Sequence, residues 1–198
     1  MKNRLTNYSY AIFISFFLFV IVFALKSGDK YYILDSILFI IFITLFYFYF
    51  EKMNLDNFTF AFLGIVMAMH DMGRFGFFNY EVYRFWVFPW DTITHFFAPF
   101  AITIALFKGL QDSRIGYPWK VFIVVAASIG IATAGEISEF FGAIKSPSGR
   151  GLFGVEAGPS PIPWFSEDYW DTMKDLVINA AGSLVGFGWH HIFRKRKV

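Results

Sequence analysis

The sequence predicts an all-α fold, a polytopic membrane bundle of about six transmembrane helices. Three observations carry that expectation. The 198 residues are 57% hydrophobic and include 29 Phe. The apolar residues form near-continuous runs rather than the alternating or one-sided patterns of a soluble domain. Most of these runs approach or exceed the roughly 20 residues that span a bilayer as a helix. A single integral-membrane domain, 1–198, accounts for the whole chain.

The first segment, 8–25, follows Lys2 and Arg4 and so resembles a signal peptide. Its apolar run is longer than a signal core, and Phe23-Ala24-Leu25-Lys26 lacks a small-x-small cleavage site, so it reads as an uncleaved helix. The second segment, 31–50, carries Asp35, and the third, 58–78, carries His70. The fourth, 89–110, opens with Asp91 and His95 and contains Pro99. That proline removes the helical partner of the His95 carbonyl and predicts a kink. The fifth, 119–144, carries Glu136 and Glu139 and is lined by the small residues Ala126, Ala127, Gly130, Ala134 and Gly135. The sixth, 171–193, carries Asp171, Asp175 and Asn179, then Gly182 and Gly186 in a small-xxx-small pair suited to close helix packing.

Between the last two segments lies the one long connection, 145–170, rich in Gly, Pro and Ser and expected as an extramembrane or re-entrant lid. No cysteine is present, which excludes disulfides and thiolate metal ligands. A net charge of +2 gives no case for nucleic acid. Ten of the 17 Lys and Arg residues, including the Arg194-Lys195-Arg196-Lys197 tail, fall on the side that holds both termini. The positive-inside bias therefore places both termini in the cytoplasm. Trp86, Trp90, Trp164, Tyr169 and Trp170 then mark the opposite interface.

An ionisable residue within a span costs about 2.5–3.5 kcal/mol by insertion scales and marks function by default. With six alternating spans, His70, Asp91, His95, Glu136, Glu139, Asp171 and Asp175 all fall at one end of the bundle. Asp91 and His95 are four apart, Glu136 and Glu139 three apart, and Asp171, Asp175 and Asn179 repeat every four residues. Each helix thus points its ligands from one face, the way bundles build metal sites. His70, Asp91, His95, Asp171 and Asp175 are the candidate metal ligands, with Glu136 and Glu139 as catalytic bases. The mixed carboxylate and imidazole set suits a divalent ion such as Zn, Mn or Fe better than Mg. Arg74, Arg150, Lys174 and Asn179 are candidates for binding an anionic substrate group. The competing structural reading is interhelical glue, in which the same groups pair to lock the helices. His190 and His191 lie at the opposite end and read as interfacial residues.

The motifs His70-Asp71-Met72-Gly73, Trp90-Asp91-Thr92-Ile93-Thr94-His95-Phe96, Gly135-Glu136-Ile137-Ser138-Glu139-Phe140 and Asp168-Tyr169-Trp170-Asp171 resemble the YjdF-like family of small bacterial membrane proteins. Asp171-x3-Asp175-x3-Asn179-x2-Gly182-x3-Gly186 also resembles the VanZ-like group. The first resemblance implies that these polar residues form the family's site. The second implies chemistry of the cell envelope, because VanZ-like proteins are associated with glycopeptide resistance. Two functions are expected from this reading: a metal-dependent enzyme acting on a lipid or lipid-linked substrate, and a proton- or cation-coupled transporter.

Overall fold

The computed structural model describes residues 4–28, 30–72, 84–85, 88–145 and 167–194. Among the described residues six helices make up the bundle: α1 (Arg4–Ser27), α2 (Lys30–Phe48), α3 (Asn57–Met72), α4 (Trp90–Gly109), α5 (Tyr117–Lys145) and α6 (Glu167–Arg194). The all-α membrane bundle expected from the sequence is the fold observed. A short antiparallel pair, β1 (Arg84–Phe85) and β2 (Phe88–Pro89), precedes α4.

Several boundaries have local causes. Gly28 ends α1 with φ +75°, the left-handed cap that glycine adopts without a Cβ clash. Asp56 caps α3, its Oδ1 accepting the Thr59 backbone N–H at 2.8 Å, three residues on, which satisfies one of the free amides of the first turn. Pro118 lies in the first turn of α5, where its missing N–H is not needed. The described part of α3 ends at Met72, so the remainder of the expected third segment lies outside the described residues.

Packing divides the helices into two groups of three. α1, α2 and α3 contact one another, as do α4, α5 and α6, and α3 meets α4 between the groups. Phe13, Phe17, Ile43, Phe60 and Leu63 form the main apolar core of the first group. A Cβ on Gly64 would collide with the Phe13 ring, so glycine there lets α1 and α3 approach. In the second group α6 lies most extensively on α4. A Cβ on Gly182 would strike the Phe96 carbonyl oxygen, and one on Gly186 would lie 2.9 Å from the Phe100 carbonyl oxygen. The small-xxx-small pair therefore seats α6 against the α4 backbone.

The small residues of α5 behave differently from expectation. A Cβ on Gly130 or Gly135 would meet nothing within 4 Å, and Ala126 and Ala134 are exposed. That face of α5 looks outward because the contacts of α5 with α4 and α6 run along the face of Val124, Ser128 and Glu136.

Outward-facing apolar side chains are abundant, with Phe58 at 70% and Val177 at 68% exposure. α1, α4 and the stretch Tyr117–Ser138 of α5 are long and apolar enough to cross a membrane, and Ile33–Phe48 of α2 is a shorter apolar helix. α6 is 28 residues long and carries Asp171 and Asp175 on its first turns, with Asp175 buried inside the bundle.

Candidate functional site

Helix alternation brings the start of α4, the end of α5 and the start of α6 to one end of the bundle. His95, on the second turn of α4, lies at the centre of the polar group there. Its Nε2 is 3.1 Å from Asp91 Oδ1 and 3.9 Å from Asp175 Oδ2, and its Nδ1 is 2.9 Å from Glu136 Oε1. All three carboxylate side chains are at most 5% exposed, and the imidazole is 12% exposed.

Lys174 forms the second centre. Its Nζ lies 2.8 Å from Asp171 Oδ1, 3.0 Å from Asp91 Oδ2 and 3.5 Å from Asp175 Oδ1. Asp91 and Asp175 therefore each span two partners, one oxygen towards the imidazole and the other towards the ammonium. Behind His95, Asn179 Nδ2 donates to Glu136 Oε1 at 2.8 Å. The polar line continues inwards: Ser183 Oγ donates to the Asn179 carbonyl at 3.1 Å and lies 3.0 Å from Ser128 Oγ, which donates to the Pro99 carbonyl at 3.0 Å. α4 continues as a helix through Pro99, and Ser128 gives the polar line an end in the α4 backbone.

Charge does not balance within this group. Among the described residues, four carboxylates (Asp91, Glu136, Asp171, Asp175) face one ammonium and one imidazole. Even with the imidazole charged, two negative charges remain in excess. Asp91 Oδ1 and Asp175 Oδ1 are buried and, although 3.1 Å from His95 Nε2 and 3.5 Å from Lys174 Nζ respectively, accept no well-aligned hydrogen bond. Burying surplus charge is costly, and a bound cation would lower that cost. Asp91, His95 and Asp175 each offer one ligand atom, all within 4.8 Å of one another, a spacing that a single metal ion can gather.

Among the described residues, the expected cluster divides into two groups. His70 groups with Asp35 and Asp71, from α2 and α3, and not with the His95 triad. Glycine-enabled packing of α6 on α4 and the α4–α5 contact assemble the His95 group, whereas α2 and α3 belong to the other half of the bundle. The contacts within the His95 group are specific. Asp171 is held by Lys174 and stands outside the triad, and Lys174 bridges carboxylates rather than standing apart as a substrate anchor. Glu136 is engaged by His95 and Asn179 at once, which suits orienting the imidazole more than accepting a substrate proton. The Glu139 side chain, Arg74, Arg150 and residues 146–166 of the expected lid lie outside the described residues, whereas Glu167–Trp170, expected in that connection, open α6. The inward polar line through Ser128 and Ser183 was not singled out from sequence. Neither serine is distinguishable there from the small residues around it.

His190 and His191 are at the far end, as expected. His190 stacks on Phe107 at 4.5 Å between ring centroids, and His191 Nδ1 is 2.8 Å from the Tyr117 hydroxyl.

A helical bundle with an apolar outer face, in which α1, α4 and α5 are long and apolar enough to cross a membrane, has the form of an integral membrane protein. The chain belongs to the family described as "Predicted membrane protein (DUF2238)", which matches residues 8–196, nearly its full length. No curated protein and no solved structure matches it.

Proposed function

We propose that this protein is a metal-dependent membrane enzyme that hydrolyses or transfers a group on a lipid or lipid-linked envelope substrate. The observation that carries the reading is the buried surplus of carboxylate around His95, with two oxygens that accept no well-aligned hydrogen bond. Asp91, His95 through Nε2, and Asp175 would hold a divalent ion. Zn, Mn and Fe suit the mixed oxygen and nitrogen set better than Mg.

Such an ion, when bound, supplies Lewis acidity towards an ester or phosphoryl oxygen and lowers the pKa of its water to about 7. The chain's own residues do the rest. Glu136 accepts the Nδ1 proton of His95, which fixes the ring orientation and leaves Nε2 free to ligate, the usual carboxylate–histidine–metal relay. Asn179 in turn fixes Glu136. Lys174 ties down the distal oxygens of Asp91 and Asp175 and, at 17% exposure, is placed to meet an anionic head group. The site's position at one end of the bundle suits a substrate whose reactive group lies at the membrane interface. With both termini cytoplasmic, that end faces outward, consistent with envelope chemistry. The likeness to YjdF-like and VanZ-like proteins points the same way.

The test is product release from bacterial lipid extracts by the purified protein in mixed micelles, followed by mass spectrometry with and without chelator. The enzyme reading expects release that chelation stops and that His95→Ala and Asp175→Asn abolish. Release indifferent to chelator and to both substitutions would remove it.

One observation favours a second reading, a proton- or cation-coupled transporter. The line from Glu136 through Asn179, Ser183 and Ser128 carries polar groups from the site towards the middle of the bundle. Intramembrane carboxylates serve as such relays. Proton or cation flux in proteoliposomes, lost in Asn179→Leu, would favour transport over chemistry.

A further inference from the structure

Asp35, Ser36, His70 and Asp71 lie apart from the site described above, in the other half of the bundle. Asp35 and Ser36 sit in the first third of α2, and His70 and Asp71 in the last turn of the described α3. Helix alternation puts them at the same end as His95. Asp35, Ser36 and Asp71 are fully buried, and the His70 side chain is 16% exposed. One ligand atom from each of Asp35, His70 and Asp71 lies within 4.8 Å of the others.

Asp71 supplies the observation that turns this grouping into a site. Its two oxygens have different surroundings. Oδ2 accepts the Ser36 hydroxyl at 2.7 Å, which fixes the carboxylate plane. Oδ1 is buried, accepts no hydrogen bond, and faces His70 Nδ1 at 4.0 Å. Among the described residues no lysine or arginine pairs with Asp71. A pure packing role would be better served by an asparagine or an apolar residue, since a buried carboxylate oxygen without a donor carries the full desolvation penalty. Phe39 packs edge-on against the His70 ring at 5.4 Å between centroids and restricts its orientation. A positioned carboxylate, an oriented imidazole and a second buried carboxylate are the ingredients of a mixed oxygen and nitrogen metal site.

We propose that Asp35, His70 and Asp71 form a second divalent-cation site, distinct from the His95 triad and selective for a borderline transition metal. Ser36 positions the Asp71 carboxylate without ligating. The bundle then carries one cation centre in each three-helix group, both at the same end. The two are joined through the contact of Trp90 Nε1–H with the Met69 carbonyl at 3.0 Å, which ties the start of α4 to the turn bearing His70.

Cobalt titration of the metal-stripped, full-length protein in detergent tests this, reading bound metal per chain by elemental analysis and ligand field by visible absorption. Wild type should bind about two equivalents, and His95→Ala about one. Asp71→Asn and His70→Gln should each bind about one, retaining the absorption bands that His95→Ala loses. Should Asp71→Asn fail to fold, His70→Gln decides alone, because its partly exposed ring can change without disturbing the Ser36–Asp71 hydrogen bond. Cobalt uptake equal to wild type in both Asp71→Asn and His70→Gln would overturn the second site. So would a wild type that binds no cobalt, or one equivalent that only His95→Ala removes.

Discussion

The two ends of the bundle use charge in opposite ways. At the end where α1, α3 and α5 begin, Lys108 Nζ meets Asp56 Oδ2 at 2.5 Å, with the Asp56 side chain 54% exposed. Asn54, itself in a left-handed turn at φ 49°, donates to Asp112 at 2.7 Å in an exposed contact. These charges are matched, wet and structural: they cap helices and tie turns. At the His95 end, among the described residues, carboxylates outnumber cations, Asp91, Glu136 and Asp175 are buried, and some of their oxygens accept no well-aligned hydrogen bond. A protein that needed charge only for packing would build both ends like the first. On the proposed reading, that difference separates a structural end from a functional one.

The largest way to disturb that contrast is to remove a cation from the buried side. Lys174→Ala leaves Asp91, Asp171 and Asp175 without their ammonium. Breaking a buried pair in this way costs about 3–5 kcal/mol, so thermal unfolding in detergent should fall steeply without added metal. Excess Mn or Zn should restore much of the loss, because a divalent ion can compensate the same carboxylates. A loss that metal leaves untouched would return the cluster to the status of interhelical glue.

Next in size is the packing that assembles the site. Gly182→Leu forces a side chain into the Phe96 carbonyl and the Pro99 ring, and overpacking of this kind costs about 1–3 kcal/mol. It should also weaken metal binding, since α4 carries Asp91 and His95 and α6 carries Asp175. Gly130→Leu, on the open face of α5, should leave both stability and metal content within error.

Smaller effects belong to the matched end. Asp56→Ala removes the α3 cap and should cost about 1 kcal/mol. Burial pushes the Asp56 carboxyl up, but hydrogen bonds from Lys108 and the Thr59 backbone, with the lysine charge, outweigh it and hold it below the ordinary carboxylate range. A carboxylate depressed on folding stabilises above its unfolded pKa of about 3.9, and that stabilisation is lost as pH falls through the folded value. Unfolding measured between neutral and strongly acidic pH should show this slope in wild type and lose that component in Asp56→Asn, which keeps a capping side chain without the charge. Asp112→Ala should be smallest, within about 0.5 kcal/mol, and without effect on activity or metal content.

The sequence made the bundle legible because lipid-facing helices announce themselves by length and apolarity, and the sign of alternation then assigns each polar residue to an end. Gathering Asp91, His95, Glu136, Asp171 and Asp175 needed only that alternation and the i,i+4 rule. Separating His70 from them needed knowledge of which helices touch, and nothing in a run of Phe, Ile and Leu encodes that α2 and α3 pack with α1 while α4 packs with α5 and α6. The same gap explains the small residues. Gly182 and Gly186 fit a known packing spacing and do pack, whereas the equally small stripe of α5 faces outward. Lys174 was legible as a cation near the site and read as a substrate anchor, but its pairing with Asp91, Asp171 and Asp175 depends on the α4–α6 contact, which spacing alone does not encode. Asp71, adjacent to His70, had no spacing to distinguish it, and its significance comes from Ser36, 35 residues away.

The central claim is that the buried carboxylate surplus around His95 exists to hold a metal. Elemental analysis of the full-length protein purified without chelator, wild type beside His95→Ala and Asp175→Asn, tests it most directly. The account predicts that each variant, still helical and monodisperse, contains about one equivalent of transition metal per chain less than wild type. Equal metal content in all three, or none in wild type after dialysis against Zn and Mn, would contradict it.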